Sequence, residues 1–371
     1  MTEIKLCDRL ATIDAVAWDN LFPADMPFCR HAFLSALEQG GSVGEKSGWL
    51  PQHLLLYRGD SLIAAMPMYL KLHSYGEYLF DWAIAEAYQH YQLSYYPKLI
   101  SAIPFTPAEG PRFGVAAGEN SGQLFTVLLQ AINQRLRQLS CSNFQCLYPD
   151  PASQQLLRDS EMLERFDVQF QWHNHNFQTF SDFLAALPSR KRKQIGKERR
   201  QVAEQDIIVK CHHGTELTPA FWQSFSRFYQ ATYQKRAGHN GYLTAETFAL
   251  WGQHLADSIV VFAAYAEHTL VAASLCFRSN SVLYGRYWGC LTEFDKLHFE
   301  CCYYAGIDYC IANKLSYFDA GAQGEHKLKR GFLPVVRRGF YQFSPSPLSN
   351  AISDYCQREQ LALLQHYQLT P

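Results

Sequence analysis

Residues 297–332 read Leu297-His-Phe-Glu-Cys-Cys-Tyr-Tyr-Ala-Gly-Ile-Asp-Tyr-Cys-Ile-Ala-Asn-Lys-Leu-Ser-Tyr-Phe-Asp-Ala-Gly-Ala-Gln-Gly-Glu-His-Lys-Leu-Lys-Arg-Gly-Phe332, and this stretch decides the fold. Its first half is apolar on nearly every face of a helix over residues 297–314, so this helix should be sandwiched between layers of structure. A strand over 317–320, a glycine-rich turn and a short basic helix follow. A buried helix beside strands is typical of an α+β domain.

The polar exceptions on the long helix are His298 and Glu300 in its first turn, together with Asp308. The preceding strand ends just before this turn, where a cleft can form. A carboxylate there is stabilised by the helix N-terminus, and it can act as a general base if burial raises its pKa. The alternative is a capping pair without chemistry.

Five titratable residues follow the glycine turn within six positions: Glu325, His326, Lys327, Lys329 and Arg330. Glycines at the end of a strand let backbone N–H groups approach a ligand. Such a cluster can bring together a base, an acid and a partner for an oxyanion or a phosphate. The alternative is a solvated basic turn.

The elements before this stretch repeat a layout found earlier in the chain. Strands over 259–265, 270–277 and 282–290 form a meander after two amphipathic helices, and the first half also alternates helices with strands. This order predicts a duplicated α+β unit with mixed sheets. The predicted domains are 1–180 and 181–371, with the catalytic cleft in the second.

A basic segment, Ser189–Arg200, lies near the start of the second half and holds seven cations and one acidic residue. Helical spacing puts Arg190, Lys193, Lys197 and Arg200 on one face. That face could meet the phosphates of a nucleotide, coenzyme A or tRNA. A solvated helix face is the alternative.

Composition excludes several classes of protein. The chain has 371 residues, 48% hydrophobic and 18% charged, so it can bury a sizeable core. A net charge of −1 gives no global signal for nucleic acid, and we expect no DNA partner.

We find neither a signal peptide nor an apolar run of about 18 residues, so we expect a cytoplasmic protein without integral membrane association. The 11 cysteines include no CxxC pair and fit reduced, buried thiols.

Histidine pairs that could hold a metal lack the necessary partners. His173 and His175 alternate on a predicted strand without a carboxylate or cysteine at a known interval. His212 and His213 are adjacent, so their side chains diverge on a strand. We expect no metal site, and we find no P-loop, GxSxG or GxGxxG motif.

A set of short motifs extends over nearly the whole chain. They are Phe80-Asp-Trp-Ala83, Tyr95-Tyr-Pro-Lys-Leu99, Pro104-Phe-Thr-Pro107, Gly110-Pro-Arg112, Pro188-Ser-Arg-Lys-Arg192 with Ile195, Lys197, Arg199 and Arg200, Tyr287-Trp-Gly289, Leu297-His-Phe-Glu300, Cys302-Tyr-Tyr304 and the stretch from Gly321 to Phe332. In these motifs the chain resembles the FemAB-like predicted N-acyltransferases (peptidoglycan biosynthesis/recognition type) of the GNAT-like superfamily. The order of elements is also similar to the second half of the aminoacyl-tRNA-dependent Fem transferases.

The resemblance implies two tandem GNAT-like domains that transfer an acyl or aminoacyl group from a thioester or an aminoacyl-tRNA to an amine. Acyl-CoA or aminoacyl-tRNA would be a co-substrate, with no tightly bound cofactor, and the acceptor would be a small molecule or a peptide. In the Fem group a lysine before the Gly-Phe turn steadies the oxyanion, and Lys329 matches it. Residues 289–297 lack the pyrophosphate-binding loop of ordinary acetyltransferases, so the donor stays open.

We therefore expect an N-acyltransferase. Glu300 or Glu325 would be the base, His298 or His326 would assist, and Lys329 would hold the oxyanion. The expected substrate-binding residues are Arg330, Lys327, Arg286, Tyr287, Trp288, Asp81, Trp82, Tyr95, Tyr96, Lys98, Arg190 and Lys193. One alternative is a non-catalytic recognition protein that binds a peptide, a cell-wall precursor or tRNA. Another is an acyltransferase of secondary metabolism that acts on a small amine.

Overall fold

The computed structural model of the chain describes residues 2–322 and 324–370. The strands are β1 (Thr2–Cys7), β2 (Trp49–Pro51), β3 (His53–Arg58), β4 (Ser61–Met66), β5 (Tyr69–Lys71), β6 (Lys98–Ser101), β7 (Gly114–Val115), β8 (Asn143–Leu147), β9 (Leu163–His173), β10 (Ile207–His213), β11 (Ile259–Ala266), β12 (Thr269–Arg278), β13 (Val282–Cys290), β14 (Tyr317–Asp319) and β15 (Leu333–Phe343).

The helices are α1 (Ala15–Asp19), α2 (His31–Gln39), α3 (Trp82–His90), α4 (Ser121–Gln138), α5 (Pro151–Asp159), α6 (Phe180–Ala185), α7 (Ser189–Ala203), α8 (Pro219–Ala237), α9 (Ala245–His254), α10 (Leu297–Phe299), α11 (Ala305–Ala312) and α12 (Ser349–Tyr367). A π-helical turn, Glu300–Tyr304, joins α10 to α11, and Glu325–Arg330 is a 3₁₀ helix. Among the helices of the described residues, none is both long and apolar enough to cross a membrane.

The chain forms two compact units that do not coincide with its two halves. Unit 1 contains Met1–Val168 and Val336–Pro371, and unit 2 contains Gln169–Val335. The predicted ranges 1–180 and 181–371 differ from these units because the end of the chain belongs to unit 1. The assignment of one GNAT-like domain to each predicted range stays a prediction.

Unit 1 contains two groups of paired strands. One has the order β1-β3-β4-β7 and is antiparallel throughout. The other has the order β15-β8-β6-β5-β2, in which β6 and β8 are parallel. Helix α4 starts after the capping residue Asn120, whose side chain accepts a hydrogen bond from the backbone N–H of Gln123. It buries Leu128 and Ile132 in one core with Phe144 of β8, as its 3.6-residue period predicts.

Unit 2 is a mixed sheet covered by helices. Strands β10 to β13 form an antiparallel meander, and β14 is parallel to β13 and antiparallel to the end of β9. Helix α8 starts after the capping residue Thr218 and ends at Gly238, which has a left-handed φ of 72°. The segment α10–α11 buries Cys301, Ile307 and Cys310 completely, which confirms the predicted sandwiched helix.

The parallel pair of β13 and β14 is short, and this leaves a gap in unit 2. On β13 the paired residues run only from Val282 to Tyr284, although the strand continues to Cys290. After β14 the chain turns at Gly321, whose φ is 80°. A Cβ atom there would lie 3.1 Å from the carbonyl oxygen of Gly285, so glycine allows the turn to pass close to β13.

The sequence pattern predicts a helix over residues 153–166 and a strand over 168–179, and the second half of this predicted helix is wrong. Helix α5 ends at Asp159, and the chain turns at Glu161 with a φ of 56° before β9 begins. Beyond the turn, Phe166, Phe170 and Trp172 are buried at every second or fourth position, which is the period of a strand. The pattern assigns the first residues of β9 to the helix because residues 160–162 carry no glycine or proline to mark the turn.

Candidate active site

Two adjacent cavities lie along β13 in unit 2. The inner cavity, of about 310 Å³, lies where β13 and the turn after β14 diverge. The outer cavity, of about 770 Å³, lies between the C-terminal end of α8 and residues 290–299. Four residues line both of them: Arg236, Trp288, His298 and His326. We call the two cavities together the β13 cleft.

His298 lies in the short helix α10 and contributes its ring to both cavities. The ring packs edge-on against Trp288 and Tyr303, with centroid distances of 5.4 and 5.5 Å. Burial lowers the pKa of His298 to about 3, and the positive charges of Arg236 and its neighbours add to this effect. The imidazole is therefore neutral at physiological pH, with one nitrogen that donates and one that accepts.

His326 lies opposite, in the 3₁₀ helix. Its Nε2 atom is 2.9 Å from the hydroxyl oxygen of Tyr303, which lines the inner cavity. Although His326 is exposed, burial of part of its ring lowers its pKa, and the positive charges of Arg330, Lys327 and Arg236 lower it further. The cleft thus holds two uncharged imidazoles, one of them joined by a hydrogen bond to a hydroxyl group.

Lys327 lines the inner cavity and is buried. Its ammonium group donates to the backbone carbonyl oxygens of Ala320 at 3.1 Å, Gly321 at 2.7 Å and Ala322 at 3.5 Å. Burial lowers its pKa to about 8, although the nearby Asp319 carboxylate opposes the shift. Lys327 therefore holds the glycine turn in place and brings positive charge to the inner cavity.

Arg286 connects the two strands that diverge at the inner cavity. Its Nη1 atom donates to the carbonyl oxygen of Gly285 at 2.9 Å and to Oδ1 of Asp319 at 3.1 Å. The same carboxylate oxygen accepts the N–H of Gly321 at 2.9 Å. Tyr287 and Trp288, also predicted to bind substrate, follow Arg286 along β13 and line the same cavity.

Arg330 does not line either cavity of the β13 cleft. Its Nη2 atom donates to both carboxylate oxygens of Glu198 in α7, at 2.9 and 3.0 Å, and its guanidinium lies 3.4 Å from the centroid of the Phe299 ring. Tyr304 donates a short hydrogen bond to the same carboxylate. Arg330 thus connects the 3₁₀ helix to α7 and α10.

Glu300 faces away from the β13 cleft. Its Oε1 atom accepts from Arg199 at 2.9 Å, and Arg199 also pairs with Asp308 at 2.8 Å. These three residues line a separate cavity of about 330 Å³. Burial raises the pKa of Glu300, while Arg199 opposes the shift. The structure therefore separates Glu300 from His298, the residue with which the sequence analysis grouped it.

Glu325 and Lys329 are exposed on the 3₁₀ helix, and neither lines the inner or the outer cavity. Lys327 and Arg330, in the same 3₁₀ helix, are buried instead. Their roles as base and oxyanion partner stay predictions.

The candidates in unit 1 form a buried polar network. Asp81 accepts from Lys98 at 2.6 Å and from Gln145 at 2.7 Å, and it also accepts a short hydrogen bond from Tyr95. Burial disfavours the charged form of Asp81, but Lys98 outweighs it and the pKa falls to about 2. Lys98 also donates to Glu77 at 2.8 Å.

Two further candidates lie at the edge of this network. The hydroxyl of Tyr96 is 2.8 Å from Oγ of Ser74. Trp82 is exposed and stacks on Phe80 with a centroid distance of 5.8 Å. The hydrogen bonds of this network explain how Asp81 and Lys98 can be buried. Among the candidates in unit 1, Trp82 is the most exposed to solvent.

The basic helix α7 has the predicted orientation. Arg190 and Lys193 are exposed, and so are Lys197 and Arg200. The opposite face buries Ile195, which explains why the cations share the solvent side.

Arg236, Tyr303 and Asp319 belong to the site or support it, but the sequence patterns did not predict them. Arg236 is in the last turn of α8, where a cation is ordinarily explained by the helix dipole. Tyr303 is one of many aromatic residues in a buried helix. Asp319 carried a usable signal, because a carboxylate at the end of an apolar strand and before a glycine turn requires a partner.

The sequence profile of the FemAB-like family, described as peptidoglycan biosynthesis/recognition, matches residues 9–370. This match confirms the resemblance drawn from the motifs. No curated protein sequence matches the chain.

Several solved structures share the fold. FemX has 11% identity and a TM-score of 0.51, covering 95% of this chain and 100% of FemX. The C-terminal domain of a proposed lysylphosphatidylglycerol synthetase from Agrobacterium fabrum has 10% identity and a TM-score of 0.54, covering 95% and 97%. L-PGS from Bacillus licheniformis has 10% identity and a TM-score of 0.50, covering 88% and 95%. These likenesses concern the fold alone, and they agree with the predicted α+β class with mixed sheets.

Proposed function

The chain belongs to the FemAB-like family, so acyl or aminoacyl transfer is its class of activity, and we propose that the β13 cleft carries out this transfer to an amine. The observation that carries the proposal is the presence of two neutral imidazoles in one cleft, His298 and His326. Acyl transfer requires a group that accepts the proton of the amine and a donor for the developing oxyanion. The two histidines can divide these tasks.

His326 suits the role of base. A proton acceptor works best when its pKa lies near the working pH, and the pKa of His298, about 3, is too low for this task. The hydroxyl of Tyr303 lies in hydrogen-bond contact with Nε2 of His326. We assign a relay in which the Tyr303 oxygen takes the proton of the attacking amine as its own proton passes to His326.

His298 suits the role of oxyanion donor. A neutral imidazole can donate its N–H without the cost of burying a charge. The positive charges of Lys327 and Arg286 next to the inner cavity stabilise a negative charge that develops there. We thus assign the oxyanion hydrogen bond to His298 rather than to the exposed Lys329, with the charge of Lys327 in support, because His298 and Lys327 line the inner cavity.

The chemical step follows from these positions. The amine nitrogen attacks the acyl carbon, the C–N bond forms, and the C–S bond of a thioester or the C–O bond of an aminoacyl ester breaks. The amine proton is taken by the Tyr303 oxygen while the Tyr303 proton passes to His326. The protonated His326 then returns this proton, through Tyr303, to the leaving thiolate or ribose oxygen, which becomes a thiol or a hydroxyl. The outer cavity has room for the carrier part of the donor. Acyl-CoA and aminoacyl-tRNA both satisfy this chemistry.

A transfer assay with acetyl-CoA, longer acyl-CoAs and aminoacyl-tRNA tests the proposal, preceded by a thermal-shift screen of the same donors. A donor at 100 times its Kd should stabilise the protein by about 2.7 kcal/mol. With the active donor, His326→Gln should lower turnover by about 100-fold or more, the scale of a lost general base. Tyr303→Phe should give a loss of the same kind.

Glu325→Gln is the matched control, because Glu325 is in the same 3₁₀ helix but outside the cavity lining. Its turnover should equal that of the wild type. Full activity in His326→Gln, or a loss in Glu325→Gln of the size expected for His326→Gln, would contradict the assignment of the base.

A second candidate function rests on the exposed cations of α7. A recognition protein without catalysis would bind a peptide, a cell-wall precursor or tRNA through Arg190 and Lys193. Charge reversal at these two positions would then abolish binding, and no donor would be consumed. Binding of tRNA without transfer in the same assay would favour this function.

A further inference from the structure

The inner cavity of the β13 cleft carries an excess of positive charge. Its described lining includes Arg236, Arg286 and Lys327 and includes no carboxylate. The carboxylate of Asp319, at the end of β14, is 1% exposed and already accepts from Arg286 and from the N–H of Gly321. The described lining of the inner cavity thus carries three cations, and Asp319 is not part of that lining.

The two histidines respond to the same excess. All of the charged groups that act on His298 are cationic, Arg236 first among them, and they lower its pKa. Of the charged groups that act on His326, only Glu198 opposes the effect of the cations. A cavity of this kind favours a ligand with negative charge, because a buried charge requires a partner of opposite sign.

Arg236 is the cation best placed to meet such a ligand. It lines both cavities and is exposed to solvent. Together with Lys235 its charge lowers the pKa of Glu293, but the ion pair of that carboxylate within 4 Å is with Lys235. The other cations of the outer cavity are paired: Lys235 with Glu293 at 2.7 Å and Lys296 with Asp295 at 2.8 Å. A position in the last turn of α8 explains a cation there, but it does not explain why this cation lines both cavities while Glu293 forms its ion pair with Lys235.

We propose that the junction of the inner and outer cavities is an anion-binding subsite, in which Arg236 pairs with a carboxylate or phosphate group of one of the two substrates. The acyl donor or the amine acceptor is therefore an anionic molecule whose charged group lies beside His298 and His326. This inference rests on the proposed function only in treating the β13 cleft as the place where substrates bind.

Isothermal titration with inorganic phosphate and with succinate tests the subsite at constant ionic strength. At least one probe should bind the wild type saturably. Arg236→Gln should weaken that binding by about 10-fold or more, the scale of a lost hydrogen bond to a charged group. Arg236→Lys should retain part of it. A preference for phosphate or for succinate identifies the chemistry of the group.

Arg227→Gln is the matched control, because Arg227 is exposed on the same helix and lines neither cavity. It should bind the probe as the wild type does, and the unfolding temperatures of all variants should agree. Absence of saturable binding by both probes, or unchanged binding in Arg236→Gln, would overturn the subsite.

The transfer assay separates this inference from the proposed function. If a probe binds through Arg236 and no donor is consumed, the subsite stands and the proposed function fails. If transfer proceeds and Arg236→Gln leaves KM and kcat unchanged, the subsite fails and the proposed function stands.

Discussion

Two side chains of a single helical turn, His298 and Glu300, end up in different cavities. Residues two apart on a helix point in directions that differ by about 200°. His298 faces the β13 cleft, and Glu300 pairs with Arg199 on the other side. The structure therefore separates this carboxylate from the histidine that is close to it in sequence. The proposed mechanism uses the hydroxyl of Tyr303 and the ring of His326 instead.

Acid should destabilise the protein through His298. Its pKa is about 3 in the folded chain, below the ordinary value of 6.5, so between these pH values the unfolded chain binds a proton that the folded chain does not. Stability therefore falls as the pH falls from 6.5 towards 3, by at most about 1.4 kcal/mol per pH unit for one proton. His298→Gln should flatten this part of a plot of unfolding free energy against pH. Equal slopes for the two proteins would refute the expectation.

Helix α8 and strand β13 are packed backbone to backbone at Gly289. A Cβ atom at this position would lie 2.4 Å from the carbonyl carbon of Phe228 and 2.4 Å from the amide nitrogen of Tyr229. Both atoms belong to the main chain of α8 and cannot move alone. This contact sets how closely α8, and with it Arg236, approaches the cleft.

Gly289→Ala should destabilise the protein by about 1–3 kcal/mol, because the added methyl group forces the helix and the strand apart. Gly196→Ala is the matched comparison: its Cβ would be 3.6 Å from the nearest atom, a flexible end of Arg200. It should stabilise α7 by about 1 kcal/mol, the difference in helix propensity. Urea unfolding measures the change in the free energy of unfolding for both variants. An unchanged free energy of unfolding for Gly289→Ala would show that α8 and β13 can separate at no cost.

The last helix of the chain, α12, completes unit 1 although it follows all of unit 2 in sequence. Ile352 and Cys356 of this helix pack in one cluster with Ile84 and Tyr88 of α3 and with Tyr95. Arg165 of β9 pairs with Glu359 at 2.6 Å, which fixes the helix from the other side. The N-terminal unit therefore depends on the end of the chain.

Ile352→Ala should destabilise the protein by about 2–5 kcal/mol, because the residue is 4% exposed and its removal leaves a cavity in the cluster. Leu361→Ala on the same helix should stay within about 0.5 kcal/mol of the wild type, because Leu361 is 68% exposed. Thermal unfolding of the two variants measures the difference. Equal unfolding temperatures would mean that α12 does not contribute to the core of unit 1.

Local patterns predicted the elements that carry the site. Continuous apolar character identified the helix that becomes α10–α11. Strand-like runs separated by turn residues identified the meander β11–β13, and the cations of residues 189–200 predicted an exposed face of α7. The motifs also identified the family. These properties follow from the sequence because periodicity and composition depend on neighbours within a few positions.

Only the tertiary structure decided which charged residues share a cavity. Glu198 meets Arg330 across 132 positions of sequence, and Arg199 meets Glu300 across 101. The cluster after the glycine turn is likewise divided, with Lys327 buried and Lys329 exposed. A pattern of residue types gives no direction for a side chain in a short 3₁₀ helix, and no partner for an ion pair formed between distant elements. These contacts appear only when the packing of α7, α10 and the glycine turn closes around the cleft.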